Sequence, residues 1–313
     1  MDKKRQMVFN LNNFLLAFSE ILNSKKVAYI ALNLALKYDF SQEKLSDLCS
    51  YSLICNLKKD DIKEFDFLNS SHLEDKTFLD IVNLSLTICK NFDFSDDILN
   101  QKLSCIEFVK NLKIEDKLKD SFFDISKKLS FWLDLQNDSE ILIFIYSNLA
   151  DFTKALDFED ILKMTTIFHK LQNPNSQILK YSSTLADYFN FEHKDKQIFL
   201  IASSLQNVAK LYKYENIEEI YSYHTKRVLN QIMGFNDICS LCFKVEENLD
   251  GTGVFGLVAK DLSFKDRLLI CLVKYNNLKE SNSHKEAINI LKKESEDGKI
   301  DKSIVEVLGE ILA

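Results

Sequence analysis

The scarcity of proline and glycine is the feature that most constrains the fold of this chain. Its 313 residues include one proline and six glycines, whereas strands joined by tight turns need both residue types often. Apolar side chains recur instead at i, i+3, i+4 and i+7, for example within residues 27–34 and again within residues 268–275. The sequence therefore predicts an all-α protein.

The composition excludes several classes of partner. A net charge of -7 with only three arginines (Arg5, Arg227 and Arg267) does not give the basic face that nucleic-acid binding requires. No apolar run reaches the roughly 18 residues of a membrane span. Residues 1–5 are followed by no signal-type apolar core, so we expect a cytoplasmic protein.

The seven cysteines are scattered through apolar helical patterns, which favours reduced core residues over a disulfide framework. Cys239 and Cys242 form one CxxC pair, a spacing that zinc sites and redox disulfides also use. Neither a second ligand pair nor a strand-to-helix context accompanies it. The helical spacing of Ile238, Cys242 and Val245 predicts that Cys242 lies on a buried stripe.

An internal repeat divides the chain. Phe40 precedes a helical pattern that leads to Asn56, and Phe191 precedes a similar pattern that leads to Asn207, with the same spacing of 16 residues. Such a repeat indicates two related helical domains. Their junction is expected around residues 135–150.

Residues 245–257 read Val-Glu-Glu-Asn-Leu-Asp-Gly-Thr-Gly-Val-Phe-Gly-Leu and hold three of the six glycines. The segment resembles the HHE-x-x-DGxGYP-x-GL signature of HD-GYP phosphodiesterases, without its histidines, tyrosine and proline. Residues 23–31 are similar to the HS-K-R-V-A-x-I-A helix of that family. Residues 202–210 are similar to its A-x-L-L-HD-I-GK segment. Residues 130–135 match its inter-domain SFWLDL.

This resemblance implies two HD-type helical bundles in tandem, a degenerate HD-like domain at 1–135 and a degenerate HD-GYP-like domain at 136–313. Phe131, Trp132, Leu133 and Leu135 lie at this junction, and in an acidic soluble protein we expect such an apolar cluster to be buried between the domains rather than exposed.

Enzymes of that family hold metal ions with clustered His and Asp side chains, and the resemblance shows what stands at each ligand position here. The HD dyad corresponds to Gln206-Asn207 and, in the first half, to Cys55-Asn56. The position of a downstream histidine corresponds to Tyr221, and the aspartate of the VAD motif corresponds to Val273. The resemblance therefore implies no catalytic residue, no metal and no cofactor. The residues that it assigns to a vestigial pocket are Gln206, Asn207, Lys210, Tyr221, His224, Glu246, Glu247, Asp250, Gly251, Gly253 and Arg267.

The first hypothesis for function is a catalytically inactive signalling adaptor or scaffold that binds a protein partner. In a variant of this hypothesis, Lys210, Arg267 and the 251–253 turn still receive the phosphate of a nucleotide ligand. The competing hypothesis is a metal-dependent phosphohydrolase with a rearranged site, in which His224 and the carboxylates of Glu246, Glu247 and Asp250 hold Mg or Mn.

Overall fold

The computed structural model describes residues 7–8, 11–63, 65, 68–95, 97–149, 155–211 and 221–312. These residues form eighteen α-helices and one short antiparallel pair of strands, β1 (Met7–Val8) and β2 (Ala155–Leu156), in which Met7 pairs with Leu156. The prediction of an all-α fold is confirmed. None of the helices in the described ranges has the length and apolar character needed to cross a membrane.

The chain divides into two compact units. The N-terminal unit is Leu11–Thr153, and the C-terminal unit combines Lys154–Ala313 with Met1–Asn10. The helices of the N-terminal unit are α1 (Leu11–Leu22), α2 (Lys25–Ala35), α3 (Gln42–Ile54), α4 (Lys59–Lys63), α5 (Ser70–Leu73), α6 (Lys76–Asn91), α7 (Ile98–Asn111), α8 (Asp116–Ser126), α9 (Leu129–Asp134) and α10 (Asp138–Asn148).

Helix α2 lies at the centre of the N-terminal unit and packs against α3, α6, α8 and α10. Most of its side chains are buried, which explains why its apolar pattern is nearly continuous. Two polar contacts join α2 to α9 and α10, near the C-terminal end of this unit. Tyr29 donates its hydroxyl hydrogen to Asp134 at 2.8 Å, and Lys25 forms an ion pair with Asp138 at 3.0 Å.

The predicted junction at 135–150 is occupied by helix α10, which packs on α2 and α9. The division near residue 153 therefore lies after the boundary expected at residue 135. Trp132 is fully buried, and its ring lies against Phe94, Phe122 and Phe131, all in the N-terminal unit. Its indole N–H donates to the carbonyl of Ser126 at 2.8 Å. These contacts give the tryptophan a role in the core of one unit rather than the predicted role between domains. Leu133, another member of the predicted cluster, is 47% exposed.

The helices of the C-terminal unit are α11 (Phe158–Gln172), α12 (Ile178–Tyr188), α13 (His193–Leu205), α14 (Tyr221–Leu229), α15 (Asn236–Cys242), α16 (Phe264–Lys279), α17 (His284–Glu296) and α18 (Lys302–Ile311), with 3₁₀ turns at Val208–Leu211 and Ala259–Asp261. Helix α13 is central and packs on α11, α12 and α15. Helix α16 begins at a capping box formed by Ser263 and Asp266.

The cysteines of the CxxC pair are free and buried. Cys242 is fully enclosed, and its thiol lies 3.4 Å from the carbonyl of Ala202 on α13. Burial raises the pKa of the Cys239 thiol to about 11. Both thiols are therefore protonated at neutral pH, and their role is to pack α15 in the core.

The repeated phenylalanine-to-asparagine spacing corresponds to a repeated structure. Helices α3 and α13 each contain thirteen residues, and the asparagine lies two positions after the last helical residue in both cases. Asn56 donates its side-chain N–H to the carbonyl of Leu22, the last residue of α1. In the C-terminal unit, Gln172, the last residue of α11, donates to the carbonyl of Asn207. In each unit, a hydrogen bond therefore ties the end of the thirteen-residue helix to the end of an earlier helix.

Candidate functional site

The first part of the candidate site lies where α13 ends. Gln206 and Asn207 are both about 95% buried, with exposures of 4% and 5%. The side-chain oxygen of Gln206 is enclosed and has no hydrogen-bond partner among the residues that the structure describes. Lys210 follows on the 3₁₀ turn, and its ammonium lies 5.5 Å from the ring centroid of Tyr221, at the start of α14. The structure therefore brings the predicted residues 206, 207, 210 and 221 to one corner of the unit.

Glu246 connects this corner to the glycine-rich segment. One of its carboxylate oxygens accepts the backbone N–H of Ser222 at 3.1 Å, in the first turn of α14. A carboxylate at this position satisfies a backbone donor that has no partner within the helix and lies at the positive end of the helix dipole. His224 lies two residues further along α14, where its ring contacts that of Tyr223 with a centroid separation of 5.6 Å.

Glu247 is the most deeply buried carboxylate of the candidate site, with no exposed surface. Its two oxygens accept the backbone N–H groups of Phe255 at 2.7 Å and of Leu257 at 2.8 Å. Charge-assisted bonds of this kind are short and about twice as strong as neutral ones. The side chain of Glu247 therefore holds the glycine-rich segment closed from inside.

Two glycines make this closed loop sterically feasible. A Cβ atom on Gly253 would lie 2.4 Å from the Cα atom of Glu247, closer than two such atoms can approach. Gly251 has φ +82°, a left-handed conformation that favours glycine. Asp250, which precedes Gly251, accepts the hydroxyl hydrogen of Thr252 at 2.6 Å and the backbone N–H of Thr252 at 3.0 Å. These bonds lower the pKa of Asp250.

Arg267 is directed to a different contact. Its guanidinium donates to Asp301 at 2.8 Å, and Asp301 is also the N-cap residue of α18. The pair ties α16 to the start of α18. Among the described residues, no hydrogen bond or ion pair joins Arg267 to the glycine-rich loop or to Lys210.

An aromatic contact that the sequence did not suggest anchors the outer side of the loop. Phe255 lies edge-on against Phe243, with ring centroids 5.1 Å apart. The Lys226 ammonium lies over both rings, 4.3 Å from the centroid of Phe243 and 5.0 Å from that of Phe255. Through Lys226, helix α14 thus makes cation–π contacts with Phe255 of the loop and with Phe243. Phe255 thus contributes packing in a segment that lacks the tyrosine and proline of the signature it resembles.

His169 is a second residue that sequence reasoning missed. It lies on α11 and is 5% exposed, and within the described part of the chain neither ring nitrogen has a hydrogen-bond partner. Burial lowers its pKa, and the backbone of Ser204, which lies near the ring without meeting hydrogen-bond geometry, offsets this effect in part. The imidazole is therefore neutral at physiological pH. His169 lies four residues after Thr165, whose hydroxyl oxygen accepts a hydrogen bond from Ser204 on α13. This helical spacing was the sequence signal that could have placed both side chains on one buried face of α11.

The donor set does not fit a metal ion. Within the described ranges, no group of three or more His, Cys, Asp or Glu side chains is arranged to hold one. Gln206 offers a neutral amide oxygen, and the carboxylates of Glu246 and Glu247 already accept backbone N–H groups. Divalent metals bind best to imidazole, thiolate and free carboxylate ligands. The described side chains at this site therefore do not match the ligand set of a divalent metal ion.

Comparison with known families agrees with the helical architecture of the C-terminal unit. Residues 159–304 match the family model of the HD domain. The C-terminal unit contains an HD domain. The match begins in α11 and ends in α18, so the HD domain includes all of the candidate site residues. Searches of curated proteins and of solved structures gave no significant match.

Proposed function

We propose that this protein is a catalytically inactive, HD-GYP-like member of the HD-domain superfamily that works as a signalling adaptor or scaffold through protein contacts. The observation that carries the proposal is the use of Glu246 and Glu247. In the resemblance, these residues occupy part of the metal-binding HHE triplet. Here their oxygens accept the backbone N–H groups of Ser222, Phe255 and Leu257.

The dyad position supports the same proposal. Gln206 and Asn207 are buried amides, and the backbone carbonyl of Asn207 accepts a hydrogen bond from Gln172. Amides carry no negative charge, so they bind the metal ions that activate water in such hydrolases more weakly than His and Asp do. The residues at this corner thus contribute packing and backbone hydrogen bonds rather than reactive groups.

The N-terminal unit fits the proposal as a second, degenerate HD-like bundle. Its α3 matches α13 in length and in the asparagine that follows it. The dyad position there is held by Cys55 and Asn56, and burial raises the pKa of Cys55 to about 12. A protonated thiol is a poor metal ligand. Two bundles without reactive sites still offer large helical surfaces to a partner.

Hydrolysis assays test the catalytic part of the proposal. We expect the purified protein, supplied with Mn, Fe or Mg, to leave cyclic dinucleotides and a generic phosphodiester intact. The double variant Gln206→His/Asn207→Asp should remain inactive, because a binuclear site needs its other ligands as well. Metal-dependent hydrolysis by the double variant would show that the remaining ligands are present and that the correspondence used here is wrong.

The competing metal-dependent phosphohydrolase needs His224, Glu246, Glu247 and Asp250 to act together on Mg or Mn. In the structure, Glu247 is enclosed by its two backbone donors, while Asp250 is exposed and bonded to Thr252. Releasing Glu247 toward a metal would leave two buried N–H groups unsatisfied, at a cost of about 1–3 kcal/mol each. The geometry therefore favours the adaptor.

A further inference from the structure

An exposed aromatic cluster lies in the C-terminal unit, where α12 ends and α16 begins. Tyr188, at the end of α12, contacts Phe189 with a ring-centroid separation of 5.0 Å, and Phe189 contacts Phe264 at 4.9 Å. Tyr188 is 46% exposed and Phe264 is 37% exposed. We call these three residues the aromatic shelf. Exposed aromatic clusters of this kind are enriched at protein interfaces.

The aromatic shelf borders a groove of about 420 Å³. Phe264 belongs to the shelf, and its neighbours Ser263 and Lys265 line the groove. The floor of the groove includes Ile198 and Leu241, which are largely buried apolar side chains. The groove is large enough for one or two side chains of a partner.

The rim of the groove is acidic. It contains four aspartates, of which Asp195 is paired with Lys265 at 2.7 Å and Asp266 with Lys244 at 3.0 Å. Asp237 is exposed and has neither a hydrogen bond nor an ion pair among the described residues.

The fourth aspartate, Asp261, accepts only the backbone N–H of Val258, at 3.2 Å. After the two ion pairs are formed, the rim carries the negative charges of Asp237 and Asp261 over an apolar floor.

An apolar floor under free carboxylates is complementary to a lysine or arginine side chain. The aliphatic stem of such a residue packs on apolar surface while its charged head remains at the polar edge. A neighbouring apolar side chain of the same partner would cover the aromatic shelf. We propose that the groove and the aromatic shelf bind a basic, apolar peptide segment of a partner protein. This inference rests on the adaptor function proposed above and names its contact surface.

Fluorescence anisotropy tests this proposal with a labelled peptide of about twelve residues, composed of leucine and arginine at helical spacing. The reference peptide has glutamate in place of arginine. We expect the basic peptide to bind the full-length protein and the acidic peptide not to bind. Asp237→Lys should weaken binding of the basic peptide about tenfold or more, because it reverses a rim charge. Phe264→Ser should also weaken it, because it removes the end of the shelf.

The matched control is Asp297→Lys, which makes the same charge change at the exposed end of α17, outside the groove. Melting temperatures confirm that each variant is folded, and Asp237 makes no contact whose loss would unfold the unit. The proposal is overturned if the basic peptide does not bind, if the acidic peptide binds equally well, or if Asp297→Lys weakens binding as much as Asp237→Lys. A failure here leaves the hydrolysis result untouched, whereas metal-dependent hydrolysis would overturn the adaptor function whatever the peptide does.

Discussion

Replacing Glu247 by glutamine should destabilise the C-terminal unit by changing a single buried atom. The wild-type carboxylate has no exposed surface and accepts two backbone hydrogen bonds, from Phe255 and Leu257. A glutamine side chain has nearly the same shape, but its NH₂ group would face one of these N–H donors. One charge-assisted bond is therefore lost and two donors are brought together.

Hydrogen bonds to charged groups contribute about 1.5–3 kcal/mol, and a buried unsatisfied donor costs about 1–3 kcal/mol. We expect the free energy of unfolding to fall by about 2–4 kcal/mol, within the range of these two effects. Urea denaturation gives this quantity. Amide hydrogen exchange over residues 250–258 should increase in the variant, because the loop loses the group that closes it.

Glu246→Gln is the matched control. Glu246 is only partly buried and accepts one hydrogen bond, from Ser222 at 3.1 Å. Its loss should cost about 0.5–1.5 kcal/mol and leave exchange in the 250–258 loop unchanged. If Glu247→Gln unfolds at the same urea concentration as the parent, with unchanged loop exchange, the reasoning that Glu247 closes the loop is refuted.

Three further predictions follow from packing and burial. Gly253→Ala should lower the urea midpoint and reduce the free energy of unfolding by about 1–3 kcal/mol, because the added Cβ atom would overlap Glu247. The control Gly309→Ala should leave the midpoint unchanged, because its added Cβ atom would meet no described atom closer than 3.4 Å. Trp132→Ala should lower the free energy of unfolding by about 3–5 kcal/mol and shift the thermal transition of the N-terminal unit alone. A shift of both thermal transitions would instead support a role for Trp132 between the domains. The lowered pKa of His169 keeps it neutral when folded, so stability present above the unfolded pKa of about 6.5 is lost as pH falls through that value toward the folded pKa. His169→Leu should make the unfolding free energy less dependent on pH between about 7 and 5, and an unchanged slope would show that the ring is accessible to protons.

The helical fold could be predicted from the sequence because its causes are local. Few glycines and one proline, apolar residues at helical spacing, and a capping residue such as Ser263 all act within one or two turns. The repeat was also visible in the sequence, as the equal spacing that leads to Asn56 and to Asn207. In the structure, α3 and α13 have equal lengths and each ends two residues before its asparagine. Helix α10 was missed as part of the N-terminal unit, because its packing on α2 depends on contacts distant in sequence, such as Lys25 with Asp138.

The candidate site could be predicted only as a set of positions. The resemblance located the corner at Asn207, Lys210 and Tyr221, and the structure brings these residues together. The resemblance could not show that the side chain of Glu247 is buried. Its burial depends on the position of the backbone at Phe255, which comes later in the chain and donates a hydrogen bond to it. His169 carries no motif, and its burial is a property of the packing between α11 and α13.

Elemental analysis of the natively purified protein, with stoichiometry measured by mass spectrometry, tests the central claim most directly. The proposal under test is that the residues aligned with metal ligands in the resemblance contribute packing and backbone hydrogen bonds instead of holding a metal ion. We expect no stoichiometric Fe, Mn or Zn, and an unchanged melting temperature after treatment with a chelator, because no metal contributes to folding. About one equivalent of bound metal per chain, with a melting temperature that falls on chelation, would contradict the account.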